Sequence, residues 1–433
     1  MTSWAWIGLS GIVVLTLLPF LSKKQRSKEK IREAVITIFI VFSIIIAVLL
    51  FHVNYILALI LGFIAFILLD KKTYTKKRLI IYGGIVLILF VTASFIFRDN
   101  PNYVLNHLKN NPDTTSLFVA RNGEEIISYQ ADIVRPLAST VKIPIAIEYA
   151  FQVEEGLLDC QQLISLDELN KFYLKGTDGN AHEEWLKDIR ANNKVKENQV
   201  TLHEIVKGMI TYSSNANTEF LLHLLGVSEI NKRINSLGLT DHEPIYPMVS
   251  PLLIPDYIAN ESSKDEIIEA LEAMPIERYR ELATDLSNRM EASDIDIESY
   301  FYKHPLDIQK IWSDRLPGAS ASDYARLLAI ISNDELPTEA AAIMRDVMEW
   351  LMEFNEANHD VYAHFGSKGG STAFILNDAL YAEDLDGNKT EIVLFTDQLN
   401  LWENIMIGHN MNSFIGNIIG NETYREEVKQ ELN

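Results

Sequence analysis

The spacing of apolar residues changes once along the chain, near residue 98. Before that point they form four nearly unbroken runs, at 4–21, 34–51, 55–69 and 79–97. Each approaches the roughly 20 residues a helix needs to cross the hydrocarbon core of a bilayer. The pattern predicts four transmembrane helices over 1–98, the second and third closing as a hairpin through FHVNY. The first run has no basic residue ahead of it and a dense basic loop behind it, which is not the layout of a cleaved signal peptide.

Beyond residue 98 the apolar positions recur with shorter periods. NPNYVLNHLKNNPD reads as a linker and helix. SLFVARNGEEIISY alternates around Asn122-Gly123, a hairpin signal. A helix is expected from near Ser139 through IPIAIEYAFQVEEGLL, with Pro144 distorting its first turns. Thr201 and Glu204 have capping-box spacing ahead of LHEIVKGMITY, and ANTEFLLHLLG reads as a further helix ending at Gly226. The stretch 255–316 is acidic and helix-prone. SASDYARLLAIIS starts another helix, capped by Ser320 or Ser322. HFGSKGGSTAFILNDALYAEDLDGNKTEIVLFTD reads as two strands joined at Asp386-Gly387, and LWENIMIGHNMNSFIGNIIG as a terminal helix. Strands at both ends with helices between predict an antiparallel sheet built from both termini, with a helical subdomain inserted.

Charge separates the same two regions. Of 38 Lys+Arg and 59 Asp+Glu, 12 and 3 fall in 1–98, leaving 26 and 56 for 99–433. The basic residues of the first region gather in loops 22–33 and 71–78, so by the positive-inside rule both loops are cytoplasmic. The N-terminus and the acidic domain 99–433 are then expected outside the cytoplasm, in a multi-pass protein of the cell membrane. A domain this acidic is not expected to bind nucleic acid through phosphates. The single cysteine, Cys160, excludes an internal disulfide.

Candidate chemistry starts at RPLASTVKIPIA, where Ser139 stands three residues before Lys142. The same spacing occurs at Ser27 and Lys30, in a loop read as cytoplasmic. Two other motifs follow Ser139 in order and each occurs once: Ser213-Ser214-Asn215 at a break between helices, and Lys368-Gly369-Gly370 at the start of a strand. A serine hydroxyl is a weak nucleophile near neutral pH and needs a base within hydrogen-bond reach. Residues three apart on a helix share a face, so Lys142 can serve Ser139. A lysine acts as a base only if burial or another ammonium lowers its pKa, and Lys368 supplies the second charge.

This set resembles the serine β-lactamase and penicillin-binding-protein superfamily, most closely the class A β-lactamase-like serine hydrolases. The segments PLASTVKI, GMITYSSNANTEFLL, SASDYARLL and SKGGS carry the resemblance over about 120–420. It implies an α+β, β-lactamase/transpeptidase-like fold, an antiparallel sheet flanked by helices plus a helical subdomain, here preceded by the four transmembrane helices. It also implies an acyl-enzyme on Ser139, with Lys142 as base and Ser213 relaying a proton. Asn215 would hold a substrate amide or Lys142 itself. Lys368, Gly370, Ser371 and Thr372 would bind substrate, the backbone N–H groups of Ser139 and Ser371 forming the oxyanion hole. Glu243-Pro244 in TDHEPIYPM matches the family's deacylation step, where a glutamate activates water.

Three departures bear on substrate. Ser214 stands where the motif usually has Asp, Gly369 where it has a hydroxyl residue, and no arginine occurs from 373 to 391. Ser371 or Thr372 could replace the missing hydroxyl, and the 255–316 stretch reads as an insertion at one rim. Neither a metal nor a cofactor is expected; His182-Glu183 and His203-Glu204 lack a second histidine at ligand spacing. The expected partners are the bilayer and a small β-lactam or a peptidoglycan stem peptide. Hydrolysis of β-lactams leads. A D-Ala-D-Ala peptidase, a sensor that stays acylated, and a structural protein with a degenerate site are the alternatives.

Overall fold

The computed structural model describes residues 98–259, 262–297 and 305–432. The four apolar runs and their loops, and with them the predicted anchor, lie outside the described residues. Among the described residues no helix is long and apolar enough to cross a membrane.

Five strands form one antiparallel sheet: β1 (Thr115–Arg121), β2 (Glu124–Tyr129), β3 (Tyr362–Ser371), β4 (Leu376–Asp384) and β5 (Lys389–Thr396), in the order β2-β1-β5-β4-β3. The β1–β2 turn has Asn122 and Gly123 at φ 53° and 80°, the double positive φ of a tight hairpin. The expected two C-terminal strands are three. The turn between β3 and β4 is closed by Thr372 N–H donating to Ile375 O at 3.0 Å. Its residues, STAFI, hold no Gly, Asn or Pro to announce it.

β5 is apolar on both faces because both are covered. Val393 and Phe395 join Ala379 and Tyr381 in a core shared with helices from the chain between β2 and β3. Ile392 and Leu394 join Leu117, Leu380 and Ala382 in a second core on the opposite face. Each Val, Leu, Ile or Phe among them, fully buried, contributes about 1.5–3 kcal/mol.

The second core is closed by α1 (Pro101–Asn110) and by two C-terminal helices, Leu401–Gly420 and Glu422–Leu432, so LWENIMIGHNMNSFIGNIIG is not the last helix. On the other side lie α2 (Lys142–Glu154), α3 (Ala181–Ala191) and α4 (Asn215–Leu225). A 3₁₀ turn, Ala138–Val141, precedes α2. Pro144 is therefore the third residue of α2, where its N–H would have no intrahelical partner anyway. LHEIVKGMITY is not one helix: Leu202–Lys207 passes into a π-helical turn, Gly208–Tyr212. A Cβ on Gly208 would lie 2.5 Å from both Trp185 Nε1 and Asn217 Nδ2, so this close approach requires glycine.

The insertion consists mainly of α5 (Lys264–Ala273), α6 (Ile276–Glu291) and α7 (Leu306–Asp314). It has its own core, into which Phe172, Leu174 and Ala216 also project. The next helix, α8 (Ala321–Ser332), packs on the sheet, and its cap is Ser320, whose Oγ accepts from Asp323 N–H.

Candidate active site

Three segments meet where β3 runs past the start of α2. The docking is set by Gly370, where a Cβ would stand 2.6 Å from Leu137 O and 2.9 Å from the Ser139 and Thr140 nitrogens. Only glycine lets the strand this close, and the approach brings the Ser139 N–H beside the backbone leading into Ser371. Asn377 ties β4 to the same loop, its Nδ2 donating to Pro136 O at 2.8 Å and Leu137 O at 3.2 Å. Ala138, just before Ser139, has φ 46°, a left-handed conformation that stores strain beside the site.

Lys142 is fully buried. Its Nζ lies 2.7 Å from Ser213 O, 3.0 Å from Ser213 Oγ and 2.9 Å from Asn215 Oδ1. None of these bonds is to Ser139, which shares the helical junction with it. The first and third partners are obligate acceptors and the second is a hydroxyl that can also donate. A neutral amine meets the two obligate acceptors with its two N–H groups, whereas an ammonium donates to all three oxygens. Burial drives the Lys142 pKa well below that of a free lysine; the Lys368 ammonium pushes the same way and Asp178 opposes. Lys368, itself buried on the edge strand, is pushed down to about 8, mainly by burial, against the pull of Asp378.

Ser213 has φ 66°, so the turn that presents it is strained as well. Ser214 points away from Lys142 into the core. Its Oγ caps α4, lies 2.9 Å from His182 Nδ1 and donates to Asn217 Oδ1 at 3.0 Å. His182 is buried and its pKa is pushed down to about 4 by that burial, so the imidazole is neutral at physiological pH. Phe172 and Trp185 are core residues.

At the other end of the site the predicted residues are engaged differently. Glu243 is exposed; its Oε2 accepts from Gly318 N–H at 3.2 Å and pairs with Arg280 of α6 at 3.3 Å. Neither bond joins it to Lys142 or Ser139. The Thr372 hydroxyl is held in the β3–β4 turn, accepting from Ser313 Oγ of α7 and from Phe374 N–H. Ser371 is exposed at the end of β3. Nothing near Gly369 replaces a hydroxyl on its own position, since the closest atom to a Cβ there would be Asn377 O at 3.7 Å. The structure thus gathers Ser139, Lys142, Ser213, Asn215, Lys368 and Gly370, with Ser371 adjoining, and ties Glu243 and Thr372 to the insertion.

A family model described as the beta-lactamase enzyme family matches residues 102–424. The chain belongs to that family. Its fold is the β-lactamase/transpeptidase-like α+β fold, and the family is one of β-lactamase-like serine hydrolases. Among solved structures it is similar to a beta-lactamase from Chitinophaga pinensis, at 16% identity over 73% of this chain and 99% of that one, with TM-score 0.45. A beta-lactamase from Sphaerobacter thermophilus is 19% identical over 74% of this chain and 96% of that one, with TM-score 0.45. A protein named PBP-A is 16% identical over 72% and 95%, with TM-score 0.43. No curated protein matches.

Within this family frame, sequence reasoning missed two contributors. Ala138 carries no mark of its positive φ. Asp178, in the loop KGTDGN, has the spelling of an ordinary turn, yet its Oδ2 accepts from His182 N–H at 3.1 Å and Asn215 N–H at 3.5 Å. Its bond to His182, four residues on, is what an Asp ahead of a helix would suggest, but no local signal points to Asn215, 37 residues away.

Proposed function

We propose that the protein is a membrane-tethered serine hydrolase that works through an acyl-enzyme and cleaves β-lactam amide bonds. The observation that carries the reading is the buried Lys142 amine, bonded to Ser213 Oγ and Asn215 Oδ1 and facing the charge of Lys368. In this scheme Ser139 Oγ attacks the carbonyl carbon as its proton passes to the neutral Lys142. The oxyanion is held by the Ser139 and Ser371 N–H groups, a contribution of about 3–4 kcal/mol for such a donor. The proton reaches the leaving nitrogen through Ser213, the C–N bond breaks, and water releases the ester with Glu243 as its base. The four apolar runs and basic loops of 1–98 support a tether that leaves 99–433 outside the cytoplasm.

A second reading, a D-Ala-D-Ala peptidase acting on peptidoglycan, is supported by the engagement of Glu243 with Arg280 and Gly318. A penicillin would then acylate Ser139 and leave slowly.

Full-length protein in detergent, given a labelled penicillin and a chromogenic cephalosporin, separates the two. Covalent label lost in Ser139→Ala, with turnover that falls in Glu243→Gln, is the expected result. Stable label without turnover moves the assignment to the peptidase, and an unlabelled wild type sinks both. Release of the protein from cell membranes by a salt wash would remove the tether.

A further inference from the structure

The Ser213–Asn215 turn carries no charge of its own, because Ser214 is neutral and buried. A carboxylate nevertheless reaches it from outside the motif. Asp178 Oδ2 accepts from His182 N–H, in the first turn of α3, and from Asn215 N–H, the first residue of α4. Two helix N-termini, each with partial positive charge, thus converge on one carboxylate. Its second oxygen, Oδ1, is buried and accepts no hydrogen bond. Saturating donors is therefore not the whole reason for a carboxylate here, since a serine oxygen would offer the same cap without a second, bare oxygen.

What a neutral cap would not supply is charge. Lys142 is bonded to Asn215 Oδ1, on the residue whose N–H Asp178 holds. The charged groups facing the Lys142 amine are Lys368, from β3, and Asp178, from the loop before α3. The remaining titratable group beside Asp178 on this side, His182, is neutral through burial.

We propose that Asp178 is a positioning residue of the active site: through Asn215 it fixes the Ser213–Asn215 turn, and its negative charge balances Lys368 at the Lys142 amine. The sign follows directly. Removing the negative charge leaves Lys142 facing only Lys368, so its proton leaves more readily and the neutral base persists to lower pH. The acid limb of acylation moves down, while a residue that only caps helices would change the rate by the same factor at every pH.

The inference rests on the serine-hydrolase reading, so its test uses two reagents. Full-length wild type, Asp178→Asn and Asp178→Glu are followed in detergent across about pH 5 to 9, the range over which shifted lysines titrate. Acylation by a fluorescent penicillin is timed in parallel with modification of Ser139 by a fluorophosphonate, which needs no β-lactam recognition. The expected result is an acid limb about one pH unit lower in Asp178→Asn, the low end of the effect of an adjacent opposite charge, and unmoved in Asp178→Glu. Superimposable limbs in wild type and Asp178→Asn overturn the proposal and leave Asp178 a helix cap. Should Asp178→Asn not fold, Asp178→Ser keeps a capping oxygen and carries the same expectation. Reaction with the phosphonate but not the penicillin removes the β-lactam substrate while the limb still tests Asp178. Failure of Ser139 to react with either reagent overturns both.

Discussion

The residues around Lys142 and those around Glu243, the nucleophile and release ends of the proposed mechanism, are built to different standards. At the nucleophile end, Lys142 has all its hydrogen-bond partners within 3.0 Å and is sealed from solvent. The segments that carry it are pinned by Gly370 and Asn377. At the release end, Glu243 is exposed and shared with Arg280, the Thr372 hydroxyl is shared with Ser313, and Gly369 offers no side chain. Lys310 of α7, 5.7 Å from the Phe374 ring, is spent on Asp314 at 2.6 Å. The inserted helices contact the release end through Arg280 and Ser313, whereas the bonds of Lys142 involve none of them. Making an acyl-enzyme needs one buried, dehydrated amine held in place. In the proposed function, choosing the substrate and freeing the product fall to the residues that the insertion holds, Glu243 through Arg280 and Thr372 through Ser313.

The sharpest way to break this contrast is to loosen the nucleophile end alone. Gly370→Ala puts a methyl 2.6 Å from Leu137 O and 2.9 Å from Ser139 N, so β3 must withdraw from the 3₁₀ turn. A displacement of this kind costs about 10²-fold in rate when it separates groups that must act together. Stopped-flow acylation of Gly370→Ala should fall by about that factor, with the rate of ester release changed far less. An acylation rate within a few fold of wild type would mean that the close approach does not set the nucleophile's geometry.

A smaller effect comes from pH. With the Lys368 pKa lowered to about 8, chiefly by burial, its ammonium is present below that pH and lost above it. For a substrate bearing a carboxylate, kcat/KM should bend downward above about pH 8 and approach a tenfold loss per unit. For an uncharged ester substrate the same limb should be much shallower, since no attraction is lost and only the effect of Lys368 on Lys142 remains. Identical alkaline limbs for both substrates would assign the titration to another group.

The legible part of this site was the part whose residues speak through their near neighbours. Ser139 and Lys142 stand three apart where the 3₁₀ turn enters α2, and Ser213 and Asn215 two apart in the tight turn before α4, so short spacing already implied proximity. The β1–β2 hairpin was equally plain from Asn122-Gly123. The turn after β3 escaped because STAFI contains no Gly, Asn or Pro, only Ser and Thr, whose turn preference is weaker, and two strands were expected where three exist. Asp178 escaped for a different reason: its meaning lies in two helix N-termini that only tertiary packing brings together. The insertion was recognised as helical from its composition, but its grip on Glu243 and Thr372 depends on where α6 and α7 dock.

The last and smallest effect sharpens the release end by adding to it. Gly369 lies opposite Asp378 in the β3–β4 register, and a Cβ at this position would have its nearest neighbour, Asn377 O, at 3.7 Å, an ordinary contact. Gly369→Ser therefore fits without moving the strand, and its hydroxyl stands one residue from Lys368, where a substrate carboxylate would be drawn. A hydrogen bond of this kind contributes about 0.5–1.5 kcal/mol, or roughly two- to tenfold in affinity. KM for carboxylate-bearing penicillins should fall by about that factor while the pre-steady-state acylation rate constant at saturation stays close to wild type. A KM that does not fall would mean the carboxylate is held elsewhere on the rim, and that glycine at 369 is not what weakens this end. A saturating rate constant that rises with it would instead tie the two ends together, because the added hydroxyl would then be acting on Ser139 and not only on the bound substrate.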